Sequence, residues 1–315
     1  MNLLASMRYL VALHQYRHFG RAAQACHITQ PALSNALRAL EKEFGAVIVR
    51  RGRAYAGLTP EGTQVLHTAQ RMLHEHERLR QDISASAGRL RGTLRMAAVP
   101  TAIPILTRFA AMLFTRQPGI TPVVLSTSSQ ELETGLEDLS LELALGYTER
   151  MGRESRARLL AWAQYAEHYY FVRRAAPAAQ EGLRIGPALS WAEASRHPLC
   201  LLTPDMHNRA LIDQAFLAAG APVSPALQTN SVLSLVLSVA GGGVCSILPG
   251  AMVATLRGHR ELEALPLTGP EVRTPIGFMT QAGVQPTRAL QAALDLLADP
   301  DWVRQCGENA GDITP

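Results

Sequence analysis

Gln30, Ser34, Asn35, Arg38 and Lys42 all fall off one apolar stripe, Leu33, Leu37, Leu40 and Phe44, whose steps of four, three and four mark one face of a helix. Side chains of these types do hydrogen-bond chemistry. Gln and Asn present paired donors and acceptors that match adenine, Arg matches guanine, and Ser reaches a base edge or a phosphate. Arg50, Arg51 and Arg53 follow at the tip of a Gly-bounded segment, residues 50–57. Clustering three guanidinium groups there is costly unless an anion offsets them, which points to phosphates, with a minor-groove visit open to Arg53. An ordinary amphipathic helix and a solvated basic loop are the plainer readings of the same residues.

The elements around these residues favour the groove. Residues 21–26 form a short Ala-rich helix whose small side chains let a second helix approach, and His27-Ile28 turns the chain. Thr29 is placed as N-cap of the next helix, with Pro31 in its first turn and Gly45 as a left-handed C-cap. Residues 2–16 supply a third helix. Val47-Ile48-Val49 reads as a strand, followed by a hairpin tip and a returning strand at 58–59, so residues 1–58 are expected to form a winged helix-turn-helix. Thr29, Gln30, Pro31, Ser34, Asn35, Arg38, Arg50, Arg51 and Arg53 are its candidate contacts to double-stranded DNA.

Thr59-Pro60-Glu61 then opens a helix that can run to about residue 87, giving a linker over 59–88. Val65, Ala69, Met72, His76, Leu79 and Ile83 follow a coiled-coil spacing, widened by Leu66 and Leu73. A helix this long with a narrow stripe has nothing of its own to pack on, so it is expected to pair with the same helix of a second subunit. His67, His74, Glu75 and His76 on this helix read as a polar surface rather than a metal site.

Composition sets the frame. The chain has 315 residues, 47% of them hydrophobic, enough for two or three domains. Residues 1–91 carry 13 basic side chains against 6 acidic, and the remainder 17 against 20, so the basic part is the one with the helix-turn-helix. Cys26, Cys200, Cys245 and Cys306 form no C-x-x-C, so metal and disulfide-framework readings are weak; a redox switch between distant cysteines stays open in principle, though neither spacing nor neighbours point to it. No metal or cofactor is expected. The N-terminus lacks a basic n-region and a cleavage site, and no apolar run approaches a membrane span, so the expected location is cytoplasmic.

After a hinge at 89–92 the texture changes. Strand and helix alternate: 93–99, 101–116, 122–126, 128–139, 141–145. This order predicts a parallel, doubly wound sheet. A second lobe is expected from about 164 to 268, starting with a strand at 165–172, and the chain then returns to the first lobe. The first lobe is placed at about 93–163 and 269–305, and residues 306–315 read as a polar, frayed tail. Gly241-Gly242-Gly243 lacks the Lys-Ser/Thr of a phosphate loop and reads as a helix end.

In open α/β sheets ligands sit at the C-terminal ends of strands, by helix N-termini. Thr101, Ser126, Ser128, Ser129, Thr203, Thr229 and Asn230 stand at such ends, and His207 and Arg209 could add charge. Helix N-termini converging on one cleft favour an anion, so the expected effector is a small carboxylate or other anion. For each hydroxyl the plainer reading is N-capping.

Taken together, Arg21-Ala22-Ala23, Thr29-Gln30-Pro31-Ala32-Leu33-Ser34, Leu40-Glu41, Gly45 and Leu58-Thr59-Pro60-Glu61-Gly62 resemble the bacterial LysR-type transcriptional regulators. The resemblance extends over the chain, since 241–249 resembles that family's Gly-rich turn and Leu-Pro signature. It implies an α/β protein with an N-terminal winged helix-turn-helix, a long coiled-coil linker helix and a C-terminal two-lobed, periplasmic-binding-protein-like effector domain. It also implies antiparallel pairing of the linker helices, a homodimer that assembles to a homotetramer, and an effect on polymerase access through DNA bending. Val49 stands where the family usually has Phe, His18 replaces a common Ser, and Glu142 an Asp. Three other readings compete. An enzyme would need a nucleophile elbow, metal-ligand spacing or a dinucleotide fingerprint, none of which occurs. A transport solute-binding protein would leave the winged helix unexplained. A DNA-binding protein without an effector differs only in its indifference to metabolites.

Overall fold

The computed structural model describes residues 2–52, 55–86, 88, 90–150, 157–176, 181–311 and 313. They form two compact units, one over Met1–Leu90, Asp138–Ser140 and Pro286–Arg288 and one over Arg91–Glu137, Leu141–Gln285 and Ala289–Pro315.

The first unit contains α1 (Leu3–Tyr16), α2 (Phe19–Ala25), α3 (Gln30–Phe44), a hairpin of β1 (Val49–Arg51) and β2 (Tyr55–Leu58), and α4 (Pro60–Ser86). Its core gathers Leu10 and Leu13 of α1, Ala22 and Ala23 of α2, Leu33, Leu37 and Leu40 of α3, then Ile48, Val49 and Leu66. Each start and stop has a local cause. His18 caps α2, its Nδ1 accepting the N–H groups of Gly20 and Arg21 at 3.1 and 3.3 Å. His27 takes a left-handed φ of 54° at the turn. Thr29 Oγ1 accepts the Ala32 N–H at 3.4 Å, and Gly45 ends α3 at φ 61°. Thr59 Oγ1 accepts the Gly62 N–H at 2.9 Å, opening α4.

Three expectations for this unit need correction. Phe44 is exposed, so the buried stripe of α3 ends at Leu40. The strand begins at Val49 rather than Val47: the Glu41 carboxylate accepts the Ile48 N–H at 3.1 Å and the Thr59 hydroxyl donates to the Val47 carbonyl, so these two residues spend backbone groups outside the ladder. The third concerns α4. It does have something of its own to pack on: its first turns lie against α1, with Leu66 in the core and Val65 packed on it. Ala69 is fully covered within the single chain and so leaves the proposed subunit seam. His76 is half-buried, whereas Met72, Leu79 and Ile83 are 40%, 58% and 64% exposed.

The second unit has two lobes. In the first, β3 (Gly92–Ala98), α5 (Ile103–Arg116), β4 (Ile120–Ser126), α6 (Ser129–Glu137), β5 (Leu143–Tyr147) and β6 (Leu159–Glu167) follow in order. The chain crosses to the second lobe for β7 (Tyr169–Arg174), β8 (Arg184–Ile185), β9 (Leu189–Ser190), α7 (Trp191–Ala194), β10 (Leu199–Leu202), α8 (His207–Ala218), β11 (Leu227–Thr229), α9 (Val232–Ala240), β12 (Cys245–Pro249), α10 (Gly250–Val253) and β13 (Leu262–Thr268). It returns as β14 (Thr274–Gln281), α11 (Arg288–Leu297) and α12 (Pro300–Asn309). The first sheet has the order β4-β3-β5-β14-β6 and the second β11-β10-β12-β7-β13-β8.

The sheets are mixed rather than wholly parallel. β3 runs parallel to β4 and β5, while β14 is antiparallel to β5 and β6, because the returning strand enters from the other lobe. The single strand expected over 165–172 is two. Glu167 ends β6 in the first sheet and Tyr169 starts β7 in the second, which moves the lobe boundary to His168. An apolar run reads as continuous even where the chain changes sheets. The tail is also corrected: α12 continues to Asn309, Cys306 and Ile313 are buried, and the Ile313 N–H donates to Tyr170 Oη at 2.7 Å. Ile313 joins the second-lobe core, and this burial offsets the cost of ordering a polar segment.

Cys200 and Cys245 lie on adjacent strands but belong to opposite faces of the second sheet: Cys245 is in register with Leu199, and Cys200 with Ser246. The period of two puts their side chains on opposite sides and rules out a bridge in this register. Among the described residues no helix is long and apolar enough to cross a membrane.

Candidate DNA-reading face and effector cleft

With Leu33, Leu37 and Leu40 turned into the core, α3 presents Gln30, Pro31, Asn35 and Arg38 to solvent, with Ser34 half-buried beside them. Arg38 Nη1 donates to Asn35 Oδ1 at 3.4 Å, which orders the two side chains on one turn. Thr29 is exposed while capping the helix. Arg50 is exposed on β1, the Arg51 backbone pairs with Tyr55, and Arg53 lies outside the described residues. The exposed side chains rest on a helix anchored by apolar burial on its other face, so they are presented with little freedom to lose.

The second unit holds a small cleft between its lobes. Val99, Pro100, Thr101, Ser128, Ser129 and Tyr147 line it from the first lobe, and Leu202, Met206, His207 and Asn208 from the second. Tyr147 and Leu202 are the last residues of β5 and β10, so the cleft lies at strand C-terminal ends.

Most polar groups here are already engaged. The Thr101 and Tyr147 hydroxyls are 3.2 Å apart, and burial pushes the Tyr147 phenol up to about 12, so it keeps its proton. Asn208 Nδ2 donates to Tyr169 Oη at 3.4 Å. Ser128 is the N-cap of α6: its Oγ accepts the Glu131 N–H at 3.3 Å and donates to the Glu131 carboxylate at 2.9 Å. Two atoms differ. Ser129 Oγ and His207 Nε2 are buried with no hydrogen-bond partner. Leaving such a group unpaired costs about 1–3 kcal/mol. The His207 ring packs edge-on against Tyr147, centroids 4.8 Å apart. Burial first, then Arg150, lowers the His207 pKa against an opposing pull from Glu133, so the imidazole is neutral at pH 7.

Of the residues expected for an effector, the cleft brings together Thr101, Ser128, Ser129 and His207. It does not include the others. Ser126 ends β4 exposed, and Asn230 is exposed. Thr229 Oγ1 accepts the Ser231 N–H at 3.1 Å, a local turn bond. Thr203 follows Leu202, and its Oγ1 is buried and unpartnered outside the lining. Arg209 adds no charge to the cleft: it is buried, donating to the Leu202 carbonyl at 2.8 Å, Gln228 Oε1 at 3.0 Å and Asp213 at 2.8 Å. Tyr147, Met206 and Asn208 escaped sequence reasoning. Tyr147 could have been found as the end of a strand; nothing local marks Met206 or Asn208. None of the four cysteines lines the cleft.

Comparison with known proteins adds the following. Residues 4–63 match the family model described as bacterial regulatory helix-turn-helix protein, lysR family, and residues 87–300 match that of the LysR substrate binding domain. The chain is 27% identical over 292 residues to the DNA-binding transcriptional dual regulator OxyR of Escherichia coli (strain K12), covering 89% of this chain and 90% of that one. It is 26% identical over 295 residues to the probable HTH-type transcriptional regulator LrrA of Synechococcus elongatus, covering 93% and 96%. Among solved structures it shares its fold with a full-length OxyR variant from Pseudomonas aeruginosa, at a TM-score of 0.68, 23% identity and coverage of 93% and 97%. It also shares it with CbnR, a LysR family transcriptional regulator, at a TM-score of 0.63, 20% identity and coverage of 98% and 99%.

Proposed function

The chain belongs to the LysR family of DNA-binding transcriptional regulators, which are not enzymes, and we propose how its residues divide that work. The N-terminal turns of α3 enter the major groove, where Gln30, Ser34, Asn35 and Arg38 meet base edges. Thr29 and Pro31 set the helix start against the backbone, and Arg50, Arg51 and Arg53 neutralise phosphates. The observation that carries this reading is the exposed polar face of a helix held from behind by Leu33, Leu37 and Leu40. Met72, Leu79 and Ile83, with His76 beside them, pair with a second copy, which places two recognition helices on two half-sites. Two such dimers form a tetramer that bends the DNA and alters access for RNA polymerase. The protein works in the cytoplasm, with its DNA.

The effector is a small anion, a carboxylate being the simplest. It takes a hydrogen bond from Ser129 Oγ on one lobe and from a proton-bearing His207 Nε2 on the other. Both atoms are buried and unpartnered, and they supply the warrant for a ligand. With no cationic side chain among the described lining residues, neutral donors and the N-terminus of α6 balance the charge. A footprint on the DNA upstream of the protein's own gene, with and without a panel of small organic acids, tests this. Protection that shortens, or loses a bend-induced cleavage site, with one acid is the expected result. Protection indifferent to every acid sinks the effector reading alone; no protection at low salt sinks the assignment of α3.

A further inference from the structure

Two strand-to-strand crossings, β6 to β7 and β13 to β14, join the lobes side by side. β6 ends at Glu167 and β14 begins at Thr274, and these two residues are register partners in the first sheet. Two positions on, Tyr169 opposes Pro249 in the second sheet, with its hydroxyl 3.4 Å from Thr274 Oγ1. Any rotation of one lobe against the other bends the backbone here.

A carboxyl group is buried at this point. Glu167 is 2% exposed. Its Oε2 accepts the N–H of Ala251, a second-lobe residue, at 3.3 Å, and its Oε1 has no partner. The Tyr165 hydroxyl and the N–H groups of Gly250 and Gly311 face it, but the Gly250 N–H already goes to the His168 carbonyl at 2.9 Å. Backbone packs on backbone around the group: a Cβ on Gly250 would lie 1.9 Å from the Gly311 carbonyl oxygen, and one on Gly311 would lie 2.8 Å from that of Ala166. The titratable groups that face it are Tyr165 on its own strand, Tyr147 on β5, Tyr169 on β7 and Cys306 on α12; α10 brings backbone alone. Among the described residues no cation faces it. Burial raises the carboxyl to about 8 against an ordinary 4.5, so it carries a proton at neutral pH.

We propose that Glu167 is a proton-operated latch on the hinge: protonated, it holds the lobes in the described arrangement, and its ionisation releases them. A carboxylate here has too few donors and no counter-charge, and opening the crossing is the way to bring it water. The sign follows by linkage. The buried arrangement binds a proton that a hydrated one gives up to solvent, so its advantage is complete below pH 4.5 and is lost as pH rises through about 8. Between those limits the balance moves by up to about tenfold per pH unit. The latch needs no particular ligand in the cleft.

The test uses the full chain with Cys26 and Cys245 replaced by Ser and one fluorophore on each lobe, at Arg108→Cys and Gln214→Cys. Infrared spectroscopy should show a protonated-carboxyl band at pH 7 that titrates near 8 and is missing from Glu167→Gln. Energy transfer between the lobes should change over the same pH range and stay at its low-pH value in Glu167→Gln. Tyr165→Phe keeps the carboxyl and removes a hydroxyl that favours its ionised form, so it should move both midpoints upward together; it also serves if Glu167→Gln fails to fold. Absence of the band at pH 7, a distance that ignores it, or midpoints that separate in Tyr165→Phe would overturn the proposal.

Discussion

In the N-terminal unit, Gln30, Asn35 and Arg38 stand in solvent on a helix whose other side is Leu33, Leu37 and Leu40. In the C-terminal unit, Ser129 and His207 carry polar atoms shut away from water with nothing to bond. The first arrangement costs the folded chain almost nothing, because water satisfies those groups. The second costs about 1–3 kcal/mol for each atom, recovered when a ligand supplies the missing partner. A surface reader is therefore stable without its target, whereas a buried reader keeps an incentive to be filled.

Substitutions can break or sharpen this contrast. Leu37→Ala removes a side chain that is 1% exposed and should cost about 2–5 kcal/mol in urea unfolding of the N-terminal unit, with DNA binding lost alongside. Asn35→Ala or Arg38→Ala should weaken operator binding by about 1–3 kcal/mol in a titration and leave unfolding within about 0.5 kcal/mol of wild type. Loss of stability in step with affinity would show that the face is structural and erase the contrast. Ser129→Ala should do the opposite of a surface change: the unligated chain gains about 1 kcal/mol, while the footprint stops responding to the acid that moves it in wild type. Ser128, which already caps α6, makes Ser128→Ala the control that loses stability instead. The smallest effect is at His18. His18→Ala should cost about 0.5–1 kcal/mol in unfolding, and His18→Ser should restore it, because either oxygen or unprotonated Nδ1 can accept the first N–H groups of α2.

How much could be read in advance depended on reach along the chain. The α3 stripe, its Thr29 cap and its Gly45 stop all involve residues three or four apart. The single exposed turn at Phe44 was misread because periodicity does not say where a neighbour ends. Glu41, by contrast, bonds the backbone seven and eight residues on, and no local pattern marks that. The same holds for Ile313, whose N–H meets Tyr170 across the fold, and for Ala69, covered within its own chain while Met72, Leu79 and Ile83 of the same heptad stripe are bare.

The sequence by itself determined the family, the winged helix-turn-helix, the two-lobed α/β unit and the polar face that α3 turns to solvent. All of these rest on helix and strand periods, caps and turns, whose energetics are short-ranged. Only the tertiary structure decided which hydroxyls were N-caps and which were left unpaired, that Arg209 is tied down while His207 faces the cleft, and that Glu167 lies buried between two lobes. Those outcomes turn on what distant segments bring against a polar atom, and burial, unlike periodicity, is a property of the whole packed chain.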